Sequence, residues 1–292
     1  MDRSTAEEAA RTVLAQGCSA VHIGGGEPFL DPDNLAMVLG ACARAGLGVE
    51  YVETNCSWFR DPDHAETLLK RLKDAGLATL LVSISPLHNE FIPFSRTRGV
   101  MAACRKAGVG VFPWVQSFLP DLETFDPAST HALEEYARLF GPDYVARIPS
   151  RYWIHQGGRA LELLRPYAAA APAKDIAARS DRPCTELLDT SHFHVDLYGN
   201  YVPGLCAGLA VAMRDLGRPL DSDSYPLLTL LLTGGVAALL DFARAEHSFA
   251  PRESGYISKC DLCTHIRSHL ARKARLTSRD LQPQGFYAKQ DS

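Results

Sequence analysis

Short apolar runs alternate along the first half of the chain with longer segments whose apolar residues recur every three or four positions. A glycine marks each passage from the second kind to the first. The phrases AQGCSAVHIGGG, RAGLGVEYVETN, DAGLATLLVSIS and KAGVGVFPWVQS carry it at Gly17, Gly46, Gly76 and Gly108, and Gly141 before DYVARIPS continues the series. The separations of 29, 30, 32 and 33 residues are those of a βα unit. A left-handed position after a helix favours a residue without Cβ, so the glycines predict helix ends. The runs after them predict strands at 19–24, 48–54, 78–85, 109–116 and 143–149. Asp31-Pro32, Asp61-Pro62 and Asp126-Pro127 predict helix starts, with aspartate capping free amides and proline tolerated in the first turn. The opening helix has Ser4 and Glu7 at capping-box spacing.

Near-continuous apolar strands between helices imply an α/β fold with a parallel sheet, doubly wound or closing towards a barrel. In both architectures chemistry collects at the strand C-terminal ends. The polar phrases GGGEP, ETNCS, SISPLHNE and RIPSRYW fall there. After about residue 165 the pattern changes, which divides the chain into a βα region at 1–165, an Ala- and Pro-rich linker at 166–182 and a smaller α+β domain at 183–292. In that last part His192 to Val202 reads as a hairpin, with Phe193, Val195 and Leu197 on one face and a turn at Gly199-Asn200. A buried helix over Leu227 to Arg244 follows, then Cys260-Asp-Leu-Cys263 and the basic helix THIRSHLARKAR.

Composition narrows the function classes. The 292 residues are 46% hydrophobic with a formal charge of −4, so a substantial core is affordable and no basic field points to nucleic acid. The most apolar run, Leu227 to Leu240, is 14 residues long against the roughly 20 of a membrane span, so no membrane partner is expected. The N-terminal residues lack a basic start and an apolar stretch, which makes the cytoplasm the default compartment. Eight cysteines then read as buried thiols or metal ligands rather than disulfides. Cys42 and Cys104 continue apolar helical stripes and read as core thiols.

Two constellations can carry chemistry. Gly24-Gly25-Gly26 opens the backbone to a ligand, and Glu27 before Pro28 adds a carboxylate able to accept from an ammonium. It matches neither a phosphate-binding loop nor a dinucleotide fingerprint. Cys184, Cys206, Cys260 and Cys263 form the second, a set of four soft ligands suited to zinc or an iron-sulfur cluster. His88 and Glu90, in a long loop on the expected active face, are candidates for substrate contact or proton transfer, against a purely structural role. His265 and His269 lie four apart on a helix whose Arg267, Arg272 and Lys273 predict a solvated basic face. His192 and His194 share a strand face beside the cysteines.

GGGEP at the end of an early strand, TN after the next, an S-x-S-P turn after the third and Gly158-Arg159-Ala160 further on together resemble the radical S-adenosylmethionine superfamily over residues 5 to 165. The resemblance implies a partial (β/α)6 barrel, in which a four-iron four-sulfur cluster on three cysteines cleaves S-adenosylmethionine and a 5′-deoxyadenosyl radical abstracts a hydrogen. It implies cofactor contacts at Gly25, Gly26, Glu27 and Pro28, with Asn55 and Ser85 as further contacts or as turn residues. The four later cysteines resemble the twitch domain, a shorter relative of the SPASM domain that holds an auxiliary 4Fe-4S cluster; the spacing before Cys206 is longer than the family's. The implied partners are a small-molecule or peptide substrate and an electron donor. The family's C-x3-C-x2-C triad and the strand before it have no counterpart here. The expectation is therefore that an upstream segment would carry that first cluster, and that the 292 residues alone are inactive in S-adenosylmethionine cleavage. The alternative is a non-catalytic homologue with a structural zinc or iron-sulfur site.

Overall fold

Four of the apolar runs bounded by glycines become strands, because the glycines leave each helix through a backbone that other residues rarely adopt: Gly17, Gly46, Gly76 and Gly108 have φ between 67° and 116°. The computed structural model describes residues 1–151, 154–155 and 157–288. It divides into Met1–Tyr152 and Trp153–Ser292. The first unit runs α1 (Arg3–Ala15), β1 (Ala20–Ile23), α2 (Pro32–Ala45), β2 (Gly48–Thr54), α3 (Pro62–Asp74), β3 (Thr79–Ser83), α4 (Pro86–Asn89), α5 (Phe94–Ala107), β4 (Gly110–Trp114), α6 (Leu119–Leu122), α7 (Leu133–Phe140) and α8 (Tyr144–Arg151). Its four strands pair in parallel in the order β1-β2-β3-β4. Buried Val52, Leu80 and Val82 on one sheet face pack against Leu39, Leu69, Leu72 and Val100 of the helices. Cys42 and Cys104 are buried as helix-face thiols.

Asp31 and Asp61 cap α2 and α3, accepting from Asn34 and His64 amides at 3.0 and 2.8 Å. Three expectations are corrected. The α1 cap is Asp2, whose carboxylate accepts from the Thr5 amide and the Ser4 hydroxyl, so Ser4 lies inside the helix. Asp126-Pro127 starts no helix: the Asp126 carboxylate closes a turn on Ala128 and Ser129, and α7 begins at Leu133. Residues 143–149 are helix rather than strand. Tyr144, Val145 and Ile148 are buried on one helical stripe, whereas a strand would put Val145 on the same face as Arg147. RIPSRYW is therefore not at a strand end, and its Tyr152 and Trp153 lie outside the described residues.

The second unit contains α9 (Arg159–Leu164), α10 (Ala173–Ala178), α11 (Thr185–Leu188), β5 (Phe193–Val195), β6 (Asn200–Pro203), β7 (Val211–Ala212), α12 (Pro226–His247), α13 (Lys259–Arg272) and α14 (Gln284–Ala288). Within the stretch expected as linker, Ala173 and Ala177 of α10 are buried in this unit's core. The hairpin forms as an antiparallel β5-β6 pair extended by β7, its turn held by Asp196, which accepts from the Tyr198 and Asn200 amides. Leu197 sits in that turn and is exposed, a correction to its place on the strand face.

α12 has 22 residues and is long and apolar enough to cross a membrane by length and composition. Here Leu227, Leu231, Val236, Leu239 and Leu240 supply the core. Buried Asp280 caps it, accepting from the Leu227 and Leu228 amides at 2.7 and 2.9 Å. Gly235 interrupts it with φ 64°. A Cβ there would lie 2.2 Å from the Arg182 carbonyl and 2.4 Å from that of Ser180. The break thus admits the backbone of residues 180–184 against the helix, and the Cys184 amide donates to the Leu231 carbonyl at 2.9 Å. Gly235→Ala is expected to destabilise this unit by more than ~2 kcal/mol in urea unfolding, while Gly285→Ala, with open space around it, stays within ~0.5 kcal/mol. Equal midpoints for the two variants would contradict the close approach.

Candidate functional site

The turn after β1 is open: Gly24, Gly25 and Gly26 are exposed, and Gly25 has φ 111°. Glu27 turns inward. Its carboxylate accepts from the Thr54 hydroxyl at 3.0 and 3.1 Å, the Asn55 amide at 2.7 Å and the Phe29 amide at 3.1 Å, where it caps the single turn Pro28–Leu30. Burial raises the Glu27 pKa, and the hydrogen bonds oppose that shift. Glu27 therefore stitches the end of β1 to the end of β2. Asn55 closes its own turn, its side-chain oxygen accepting from the Ser57 amide at 2.9 Å. Ser85 caps α4, and its hydroxyl lies 2.7 Å from His88 Nδ1. Burial lowers the His88 pKa, which favours the neutral imidazole. Glu90 faces the Leu133 amide at 3.4 Å. Asn55, Ser83, Ser85 and His88 share a cavity of about 10 Å³, room for one water at most. Asn55, Ser85 and His88 are thus brought together around this small cavity, with Glu27 bonded to Asn55, while the exposed glycine turn does not line it.

The sheet face away from the core helices carries polar and aromatic groups that sequence reasoning missed. His22 stacks on Tyr51 with ring centroids 5.0 Å apart, and its Nε2 lies 3.5 Å from the Glu53 carboxylate. Phe112 meets Tyr51 edge-on at 5.5 Å. The alternation of GVEYVET was the available signal, obscured by reading the strand as continuously apolar.

In the second unit, Cys260 and Cys263 occupy the first turn of α13, capped by Ser258. Their i, i+3 spacing puts them on one side, while Leu262 enters the core and buried Asp261 holds Arg165, Arg252 and the Ile257 amide on the other. Cys184 arrives beside α12, and Cys206 follows β6 in a turn closed on the Pro203 carbonyl. All four cysteines line one cavity of about 220 Å³, walled by Leu187, Leu209, Leu231 and Val236. Gly158 also lines it, so Gly158-Arg159-Ala160 belongs to this unit and not to the strand-end turn. Burial pushes the Cys206 and Cys260 thiols up to about 12 and raises that of Cys263; neighbouring thiols add to each shift. Among the described residues, groups of three donor atoms within 4.8 Å of one another do not include these cysteines. Four sulfurs around one zinc at ~2.3 Å would be ~3.8 Å apart. Among the described residues, three of these sulfurs are thus not gathered at the separation that a single zinc would need.

The helix carrying the C-x2-C pair is the expected solvated basic face at Arg272 and Lys273, which are exposed, but not at Arg267. Arg267 is buried, its guanidinium donating to the Ala207 carbonyl at 2.9 Å and the Tyr287 hydroxyl at 2.8 Å and reaching the Cys263 thiol. His265 Nδ1 pairs with the Tyr256 hydroxyl and His269 Nε2 with the His247 carbonyl, both at 2.8 Å. Burial is the main cause that drops His265 to about 4. His194 Nδ1 bonds the Gly204 carbonyl at 2.8 Å, and its ring lies 4.8 Å from that of His192.

Compared with known family models and with curated proteins, the chain matches none.

Glu27 provides a test of the strand-end geometry. A carboxyl whose folded pKa lies above its unfolded value gives stability that is fully present below the unfolded pKa and lost as pH rises through the folded one. The stability of the wild type relative to Glu27→Gln is therefore expected to fall as pH rises above the ordinary glutamate range and to level off once the folded carboxyl has ionised. At low pH Glu27→Gln should be less stable by ~1 kcal/mol, from the altered bonds to Thr54 and Asn55. A pH-independent difference in chemical unfolding would contradict the buried position.

Proposed function

We propose that this chain is a radical S-adenosylmethionine-type protein whose second unit holds an auxiliary 4Fe-4S cluster on Cys184, Cys206, Cys260 and Cys263. The observation that carries the reading is the convergence of four cysteines, spread from residue 184 to 263, on one cavity of about 220 Å³. Four soft sulfur ligands on a cavity of that size suit an iron-sulfur cluster. A cluster bound there would supply one-electron transfer. The chain's part is to hold the four thiolates, at the N-terminus of α13 for two of them, and to wall the centre with aliphatic side chains.

The first unit, a parallel βα array, is read as part of a (β/α) barrel, with the exposed turn Gly24–Gly26 offering backbone groups to the methionine end of S-adenosylmethionine. Glu27 acts in that reading by fixing the turn, because both of its oxygens already accept hydrogen bonds within the protein. The residues do not fit the superfamily's three-cysteine cluster. Cys42, Cys56 and Cys104 are buried in the sheet-helix core with their thiol pKa values raised by burial, so no step is assigned to that cluster. Hydrogen abstraction from an organic or peptide substrate is the activity proposed for the complete machinery.

Anaerobic reconstitution with ferrous iron and sulfide should load about four of each per chain. Cys184→Ala, Cys260→Ala and Cys263→Ala are each expected to lose most of it, and Cys42→Ala to lose none. Because thiols must deprotonate to bind and burial pushes Cys206 and Cys260 up to about 12, loading should release protons and increase as pH is raised. Zinc alone, or iron content indifferent to these cysteines, would overturn the assignment.

A further inference from the structure

Arg267 is only 4% exposed, yet among the described residues it forms no ion pair with a carboxylate. Acidic groups of the same unit are engaged elsewhere: Asp261 with Arg165 and Arg252, Asp215 with Arg279, Glu186 with Lys259, and Asp280 with the Leu227 and Leu228 amides. Its guanidinium bonds are to neutral acceptors, the Ala207 carbonyl, the Thr264 hydroxyl at 3.2 Å and the Tyr287 hydroxyl, and the latter donates a hydrogen bond to the Gly208 carbonyl at 2.6 Å. Its Nε has no hydrogen-bond partner. A buried cation without a counter-charge is strongly destabilising. The titratable groups beside it are Tyr287, whose phenol burial pushes up to about 12, and the Cys263 and Cys206 thiols, which lose their protons when they bind a metal centre. Lys259, on the Cys184 and Cys260 side, already faces Glu186 at 3.4 Å and adds no net charge.

We propose that Arg267 is the built-in counter-charge of the four-cysteine centre and sets its reduction potential. This rests on the iron-sulfur reading above. Four thiolates on an oxidised 4Fe-4S core carry a net charge of about −2, and one added electron from an external one-electron donor makes it about −3, with no bond made or broken. A fixed guanidinium at Cys263 favours the more negative state and so raises the potential. The same charge is uncompensated in the unloaded protein, so the site is arranged for an anionic occupant.

The test is a reductive titration of the reconstituted full chain, followed by absorption and paramagnetic resonance, with Arg267→Met, Arg267→Gln and Arg267→Lys. Removing an unpaired buried charge leaves a foldable chain, so Arg267→Met is suited to the measurement. In Arg267→Met and Arg267→Gln the reduction equilibrium is expected to fall tenfold or more, about 59 mV for one electron, while Arg267→Lys stays within about threefold of wild type. If the neutral variants do not load but Arg267→Lys does, the charge requirement is equally supported. Loaded neutral variants with the wild-type potential, or a Lys variant that shifts or fails as they do, overturn the role of charge and leave Arg267 a strut between the Cys206 loop and α14. Wild type that takes up no iron and sulfide overturns the cluster reading itself.

Discussion

The buried Asp261 carboxylate fixes which way α13 faces. It accepts from Arg165, Arg252 and the Ile257 amide, so the helix cannot rotate without stranding a charge in a core that also holds Leu262 and Ile266. With that side anchored, Cys260 and Cys263 have only the cavity to face. The opposite wall depends on a backbone break rather than a side chain. Gly235 opens α12 so that residues 180–184 lie against it, which delivers Cys184 to the same cavity. The gathering of the four cysteines therefore rests on two features that are structural when viewed alone: an ion-paired aspartate and a glycine with positive φ.

The first unit uses the sheet in a comparable way, one face for stability and the strand ends for exposure. Valine and leucine pack on α2, α3 and α5, while His22, Tyr51, Glu53 and Phe112 gather on the other face. At the strand ends Glu27 ties two turns together and leaves Gly24–Gly26 accessible. A carboxylate that reads as a ligand contact in a linear motif is here a clamp that shapes the backbone around it.

How much of this was legible depended on whether a feature is local. The helix-ending glycines and the Asp-Pro caps at 31 and 61 were readable because each acts within a few residues, and four of five strands followed. The segment 143–149 misled because β-branched composition and helical spacing disagreed, and burial of Tyr144, Val145 and Ile148 favoured spacing. The gathering of cysteines was suggested by residue type. The burial of Arg267 was not: in sequence it stands among Arg272 and Lys273, and only tertiary packing against Tyr287 and Ala207 separates it from them. The His22-Tyr51-Glu53 group escaped for the same reason, since it is assembled across two strands.

The central claim is that four distant cysteines surround one iron-sulfur core, and X-ray absorption at the iron edge of the reconstituted protein tests it most directly. Each iron should be surrounded by about four sulfurs at about 2.3 Å with further irons as neighbours, and the iron-neighbour signal should vanish in Cys260→Ala. Iron bound through nitrogen and oxygen, or zinc as the only metal with four sulfur ligands, would contradict the account.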